Sequence, residues 1–139
     1  MSLKVENVRK HRKKDWSFRS LFKVLTYTRD GLIYFFRYER SAIIYLIASV
    51  LCIGSGMILQ MSLMEWIVIL FILLTILALE LVNTAIESIC DLVCPEQHPL
   101  VKVAKDCGSA ATGVLSLFAW IVATIIYFPK VVDLVKAMF

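Results

Sequence analysis

Three apolar runs, Ser41 to Leu59, Trp66 to Leu79 and Ser109 to Phe128, dominate a chain of only 139 residues. Crossing a hydrocarbon core about 30 Å thick takes about 20 apolar residues of α-helix. Two of the runs have that length, and the middle one is short only because Glu80 interrupts it. Its helix is expected to continue past the membrane surface toward Asp91. Composition agrees: 60% of the residues are hydrophobic, against about half in ordinary globular domains. The chain reads as one small all-α integral membrane domain with three transmembrane helices, at about 41–59, 65–80 and 109–128, and the soluble classes are excluded.

Charge orients these spans. Of 15 Lys and Arg residues, 11 lie in the first 40 positions, whereas the connector Gln60 to Glu65 has none. Cytoplasmic loops carry the excess of Lys and Arg, so the N-terminus and the segment from Glu80 to Gly108 are placed in the cytoplasm. The connector and the C-terminus fall outside, even though Lys130 and Lys136 lie there. The expected location is a membrane, crossed several times. The first 16 residues are polar and basic, with no short apolar core of the kind a cleavable signal needs.

Met1 to Asp15 reads as a flexible basic tail, densest at Arg9-Lys10-His11-Arg12-Lys13-Lys14. Each such charge next to anionic headgroups gains roughly 1 kcal/mol. Nucleic-acid binding is the competing reading of a basic run, and it is disfavoured because the tail is short and the rest of the chain lies in lipid. Residues 16–139 form the membrane domain. Within it Phe18, Leu21, Phe22, Leu25, Leu32, Phe35 and Phe36 recur at helical spacing between Arg19, Lys23, Arg29 and Asp30. That pattern predicts an amphipathic helix over 16–37 lying in the interface, bent at Gly31 and delivering Glu39 and Arg40 to the first span. Cys52, Cys90, Cys94 and Cys107 show neither a paired Cys-x-x-Cys nor a neighbouring His, so they read as small apolar residues.

The chemistry gathers on one side of the membrane. Asn83, Glu87 and Asp91 follow Glu80 by three, seven and eleven residues, which puts all four on one helix face. Glu39 opens the first span. Pro95 and Pro99, four apart, break the chain into a turn, after which a restarted helix carries Lys105 and Asp106 to the surface. Glu96 and His98 lie in that turn. A helix leaving the bilayer turns polar in any case, but carboxylates at a membrane edge are costly, and these share one depth. Mg²⁺ is usually held by one or two carboxylates plus substrate phosphates. A lysine can neutralise phosphate, and an unligated carboxylate can take a proton from a hydroxyl. No G-x-x-x-x-G-K-[ST] loop exists, so side chains and helix ends would have to hold a nucleotide. Gly54-Ser55-Gly56 reads as a helix-packing or flexing element. An ion-coupled transporter using Glu80 and Glu87 as relays is a rival reading, although transport sites usually lie near the midplane. A membrane scaffold explains the basic helix but not the clustered acids.

Glu80-Leu81-Val82-Asn83-Thr84-Ala85-Ile86-Glu87, then Asp91, His98-Pro99-Leu100, Lys105-Asp106 and Ser109-Ala110-Ala111 resemble the prokaryotic diacylglycerol kinase family of integral membrane lipid kinases, over roughly Phe18 to Lys130. The resemblance implies a homotrimer with ATP and Mg²⁺ at the cytoplasmic edge. It implies Glu80 as the base that also meets the substrate, Glu39 and Glu87 as metal ligands and ATP contacts, and Tyr27, Glu96, His98, Lys105 and Asp106 as further ATP-binding residues. Ser109 falls where the lipid headgroup is approached, with Asn83 and Asp91 in support. Two positions depart from the pattern. Ser20 stands where an Arg is expected, and Tyr45 where the branch acting on diacylglycerol has a Glu. The loop His98 to Asp106 and the ending Tyr127-Phe128-Pro129-Lys130 are similar to the Gram-positive branch, whose preferred substrate is undecaprenol. Conversion of undecaprenol to its phosphate is therefore expected, with production of phosphatidic acid from diacylglycerol as the alternative.

Overall fold

The computed structural model describes residues 18 to 138, so the basic tail and Trp16 lie outside the described residues. Four helices follow one another: α1 (Phe18–Tyr38), α2 (Arg40–Ile58), α3 (Leu63–Val93) and α4 (Pro99–Met138). The chain divides into two compact units, one ending at Ile33 and the other running Tyr34–Phe139. In the first, α1 passes unbroken through Gly31, and Arg29 donates to the neighbouring Asp30 at 2.8 Å and 3.0 Å.

In the second unit, α2, α3 and α4 are long and apolar enough to cross a membrane. At 1.5 Å per residue the 31 residues of α3 extend about 46 Å, against a hydrocarbon core of about 30 Å. The excess of about three turns matches the stretch that carries Glu87 and Asp91 out of the apolar layer. The last helix is longer still at 40 residues. It starts on Pro99, whose missing N–H is no loss at a first helical position, and runs continuously into the apolar stretch from Ser109. It also continues through Pro129, although a proline there removes the donor to the Ile125 carbonyl.

Side chains inside the apolar layer hydrogen-bond to helix carbonyls. Tyr127 donates to the Cys52 carbonyl at 2.7 Å, joining α4 to α2, and Tyr45 donates to the Leu73 carbonyl at 3.2 Å, joining α2 to α3. Ser55, Thr75 and Thr124 bond carbonyls of their own helices, as isolated hydroxyls in lipid must.

The α2–α3 connector is tighter than the reading of Gln60 to Glu65 as loop implies, because α3 already starts at Leu63. Ser62 caps it: the hydroxyl accepts from the Glu65 N–H, and the Glu65 carboxylate accepts from the Ser62 N–H at 2.6 Å, a capping box. Glu65 also meets Lys130 of α4 at 3.1 Å. Gln60 makes the reversal with a left-handed φ of 48°.

Gly56 lets that turn close. A Cβ there would lie 2.9 Å from Met61 Sδ and 3.0 Å from Trp66 Cη2, whereas a Cβ on Gly54 meets nothing within 4 Å. Packing thus belongs to Gly56, while Gly54 faces open space. Gly56→Ala is expected to lower stability by about 1 kcal/mol, at the mild end of overpacking because the Met61 side chain can yield. Gly54→Ala should leave it unchanged or raise it by up to about 1 kcal/mol through helix propensity. Thermal unfolding midpoints of both variants in one detergent test the contrast.

Candidate active site

The polar end of the second unit holds a cavity of about 430 Å³ lined by Tyr38, Glu39, Arg40, Ser41, Glu80, Asn83, Glu87, Ser109 and Thr112. The junction of α1 and α2 supplies one wall, and α3 and α4 supply the others. Glu39 is the residue immediately before α2, in extended backbone, and its side chain makes no capping bond. Glu80, Asn83 and Glu87 come from successive turns of α3, and Ser109 and Thr112 from one turn of α4. Of the four residues spaced along one face of α3, Glu80, Asn83 and Glu87 line this cavity, with Glu39 and Ser109 joining from neighbouring segments; Asp91 does not.

Within this cavity the carboxylates differ in what they touch. Glu87 Oε1 accepts from Asn83 Nδ2 at 2.9 Å. Glu39 and Glu80 are half-buried, and their carboxylates make no hydrogen bond or ion pair among the described residues. Partly desolvated carboxylates without partners are unfavourable in a resting fold, and they leave acceptor sites open to a ligand. Among the described residues no three His, Cys, Asp or Glu side chains approach closely enough to form a ready-made metal cage. The donor set nevertheless fits Mg²⁺, which prefers hard oxygens and takes one or two carboxylates together with phosphate oxygens; Glu39 and Glu87 offer two.

A second cavity, of about 650 Å³, lies where α3 ends and α4 begins, and Asp91, Glu96, His98, Lys105 and Asp106 are all among its lining residues. Its size falls within the range of about 300 to 1,000 Å³ typical of small-molecule pockets. Lys105 Nζ bonds Asp91 Oδ1 at 2.5 Å across the two helices. That hydrogen bond raises the Lys105 pKa above its ordinary value; the group lies ahead of the apolar stretch that begins at Ser109. His98 Nδ1 accepts the Leu100 N–H at 3.2 Å, which orients the ring at the helix start.

A third cavity, of about 720 Å³, is almost wholly apolar and runs among α2, α3 and α4, with Tyr45, Trp120 and Tyr127 in its wall. Ser41 and Glu80 line both this cavity and the acidic one. Glu80 thus stands where a hydrocarbon-lined space meets a polar one.

Tyr27 is exposed on α1, in the unit that ends at Ile33. Sequence reasoning passed over Tyr38, Arg40, Ser41 and Thr112 in the acidic cavity, and Gln97 and Lys102 in the second. Thr112 had a signal, since it follows Ser109 by one helical turn, and Tyr38, Arg40 and Ser41 lie within two residues of Glu39.

The chain matches the family model for prokaryotic diacylglycerol kinase over residues 26–127. The undecaprenol kinase of Bacillus subtilis strain 168 is 32% identical over 109 residues, which cover 78% of this chain and 89% of the relative. A diacylglycerol kinase of Helicobacter pylori is 34% identical over 103 residues, covering 74% and 80% respectively. One from Pseudomonas aeruginosa is 38% identical over 85 residues, covering 61% and 69%. Matched over most of its length, with carboxylates gathered at the polar end of apolar helices, the chain belongs to the prokaryotic diacylglycerol kinase family and is a membrane lipid kinase.

Proposed function

We propose that the chain transfers the γ-phosphoryl group of ATP to the hydroxyl of a membrane alcohol, undecaprenol in preference to diacylglycerol, at a site on the cytoplasmic side of the bacterial inner membrane. The observation that carries this reading is the position of Glu80, unpaired and half-buried, between an apolar cavity of about 720 Å³ and an acidic one. A lipid chain in the first would bring its hydroxyl to Glu80. The Glu80 carboxylate takes the hydroxyl proton as the oxygen forms its bond to Pγ, the bond from Pγ to the bridging oxygen breaks, and ADP leaves with that electron pair. Glu39 and Glu87 are the residues that would hold Mg²⁺, which supplies neutralisation of charge on the phosphate oxygens. Lys105, Asp106, Glu96 and His98 bind the nucleotide in the second cavity. Ser109 meets the lipid headgroup, and Asp91 holds Lys105 until phosphate arrives.

Two features favour undecaprenol. The Bacillus subtilis relative carries that name and aligns with 78% of this chain, and Tyr45 stands where the resemblance expects a Glu in the branch acting on diacylglycerol. Purified protein with Mg²⁺ and labelled ATP, offered both lipids side by side in mixed micelles, is expected to label undecaprenol faster. Faster labelling of diacylglycerol would reverse the preference, and no lipid-dependent transfer at all would remove the reaction.

The roles of the carboxylates separate by isosteric substitution. Glu80→Gln should lower turnover by about 10²- to 10⁴-fold, the usual range for a general base, with ATP affinity retained. Glu87→Gln and Glu39→Gln should weaken Mg²⁺-dependent ATP binding as well. Equal loss of nucleotide binding in all three variants contradicts the assignment.

The working assembly is a homotrimer. Fewer than one residue in five of each apolar stretch is buried within the chain, so the helices cover little of one another, and polar groups at membrane depth need protein or water around them. Cross-linking in mild detergent is expected to give trimers; fully active monomers would refute the assembly. Mixing Glu80→Gln protein with Glu39→Gln protein then reads site sharing. No recovery is expected, because one chain already brings both residues to one cavity.

A further inference from the structure

We infer that Gly108 is a positioning residue for Glu87, acting through Asn83; this rests on the reading of Glu87 as a group that meets the metal-nucleotide complex. Gly108 lies on α4, between Lys105 and Ser109, where that helix passes α3. A Cβ built on Gly108 would fall on Asn83 Oδ1, with Asn83 Cγ at 3.3 Å and Ile86 Cδ1 at an ordinary 3.8 Å. Asn83 is therefore the one side chain that requires a glycine there.

The orientation of the Asn83 amide follows from its partner. An ionised carboxylate only accepts hydrogen bonds, so the Asn83 nitrogen must face Glu87 Oε1, at 2.9 Å, and the oxygen must face away. Away is α4. Asn83 Oδ1 is buried there and has no hydrogen-bond partner. The absent side chain of Gly108 thus creates the space in which an unpartnered oxygen can rest, and that placement aims the amide nitrogen at the carboxylate. A methyl group on residue 108 would swing the amide off this axis and release Glu87 from the only hydrogen bond it makes among the described residues.

The consequence runs against helix propensity, since alanine is ordinarily the better residue in a helix interior. It is also specific to one pair. Once Asn83 is truncated, nothing near residue 108 remains to clash, and a methyl there should have no further effect.

The test is a double-mutant cycle read without turnover. Binding of Mn²⁺ together with a non-hydrolysable ATP analogue is followed by paramagnetic resonance in Gly108→Ala, Asn83→Ala and the double variant, with Glu87→Gln as reference. Gly108→Ala and Asn83→Ala are each expected to weaken Mn²⁺ binding by about 10- to 100-fold, the scale found for loss of an outer hydrogen bond to a metal ligand. Asn83→Ala and the double variant should match in affinity, with the thermal midpoint of the double variant equal or higher because alanine favours the helix, a comparison that stands even where Gly108→Ala alone does not fold. Additive effects, as from general disturbance of helix packing, would overturn the inference, as would wild-type affinity in Gly108→Ala. Wild-type affinity in Glu87→Gln instead removes the metal-nucleotide reading of Glu87 and the inference with it.

Discussion

A polar group released inside hydrocarbon has no water to turn to, and the membrane part of this chain is arranged around that constraint. Within the apolar layer Tyr127 and Tyr45 donate to carbonyls of neighbouring helices, and Ser55, Thr75 and Thr124 bond back to their own. Such bonds are worth only about 0.6 to 2 kcal/mol each in membranes, but they are directional where apolar packing is not. They set which faces of α2, α3 and α4 meet, and so which residues arrive together at the polar end. There the rule inverts: Glu39 and Glu80 keep their acceptors unpaired. Where most hydroxyls in the layer find a carbonyl, unpaired carboxylates are the chemically informative groups.

Much of this was legible in the sequence, and the parts that were not have a common cause. Periodicity in lipid is easy to read, because only helices of sufficient length and apolarity can cross, and the alignment of Glu80, Asn83, Glu87 and Asp91 on one face follows from 3.6 residues per turn. The start of α3 was also written in the chain, as Ser62 followed three residues later by Glu65, yet the apolar run drew attention to Trp66. What periodicity does not encode is which helix faces meet. Neither the shared lining of Glu80 between an apolar and a polar cavity nor the approach of Gly108 to Asn83 has a local signature, since both depend on the packing of α3 and α4. The same holds for the separation of the acidic residues into two cavities. On the sequence alone they form one group at one depth, whereas α4 begins far enough along the chain for Lys105 to pair with Asp91 rather than with Glu80.

That separation bears on how a nucleotide could engage the two cavities. Lys105 is already paired when no ligand is present. Its ammonium and the Asp91 carboxylate are respectively one-third and two-thirds exposed, and ion pairs at such exposure contribute little, typically between zero and about 1 kcal/mol. Giving up Asp91 for a phosphate oxygen is therefore a small loss set against a charge-assisted bond to a more highly charged partner. The pair holds the lysine across α3 and α4; under the proposed reaction it would also keep the ammonium away from Glu87, one of the two carboxylates assigned to Mg²⁺. Asp91 and Glu87 lie one helical turn apart on α3, so a lysine freed from one is within reach of the other. Under the proposed reaction Lys105 would change partner from Asp91 to phosphate, while Glu87, one turn closer to Glu80 along α3, keeps its oxygens for the metal.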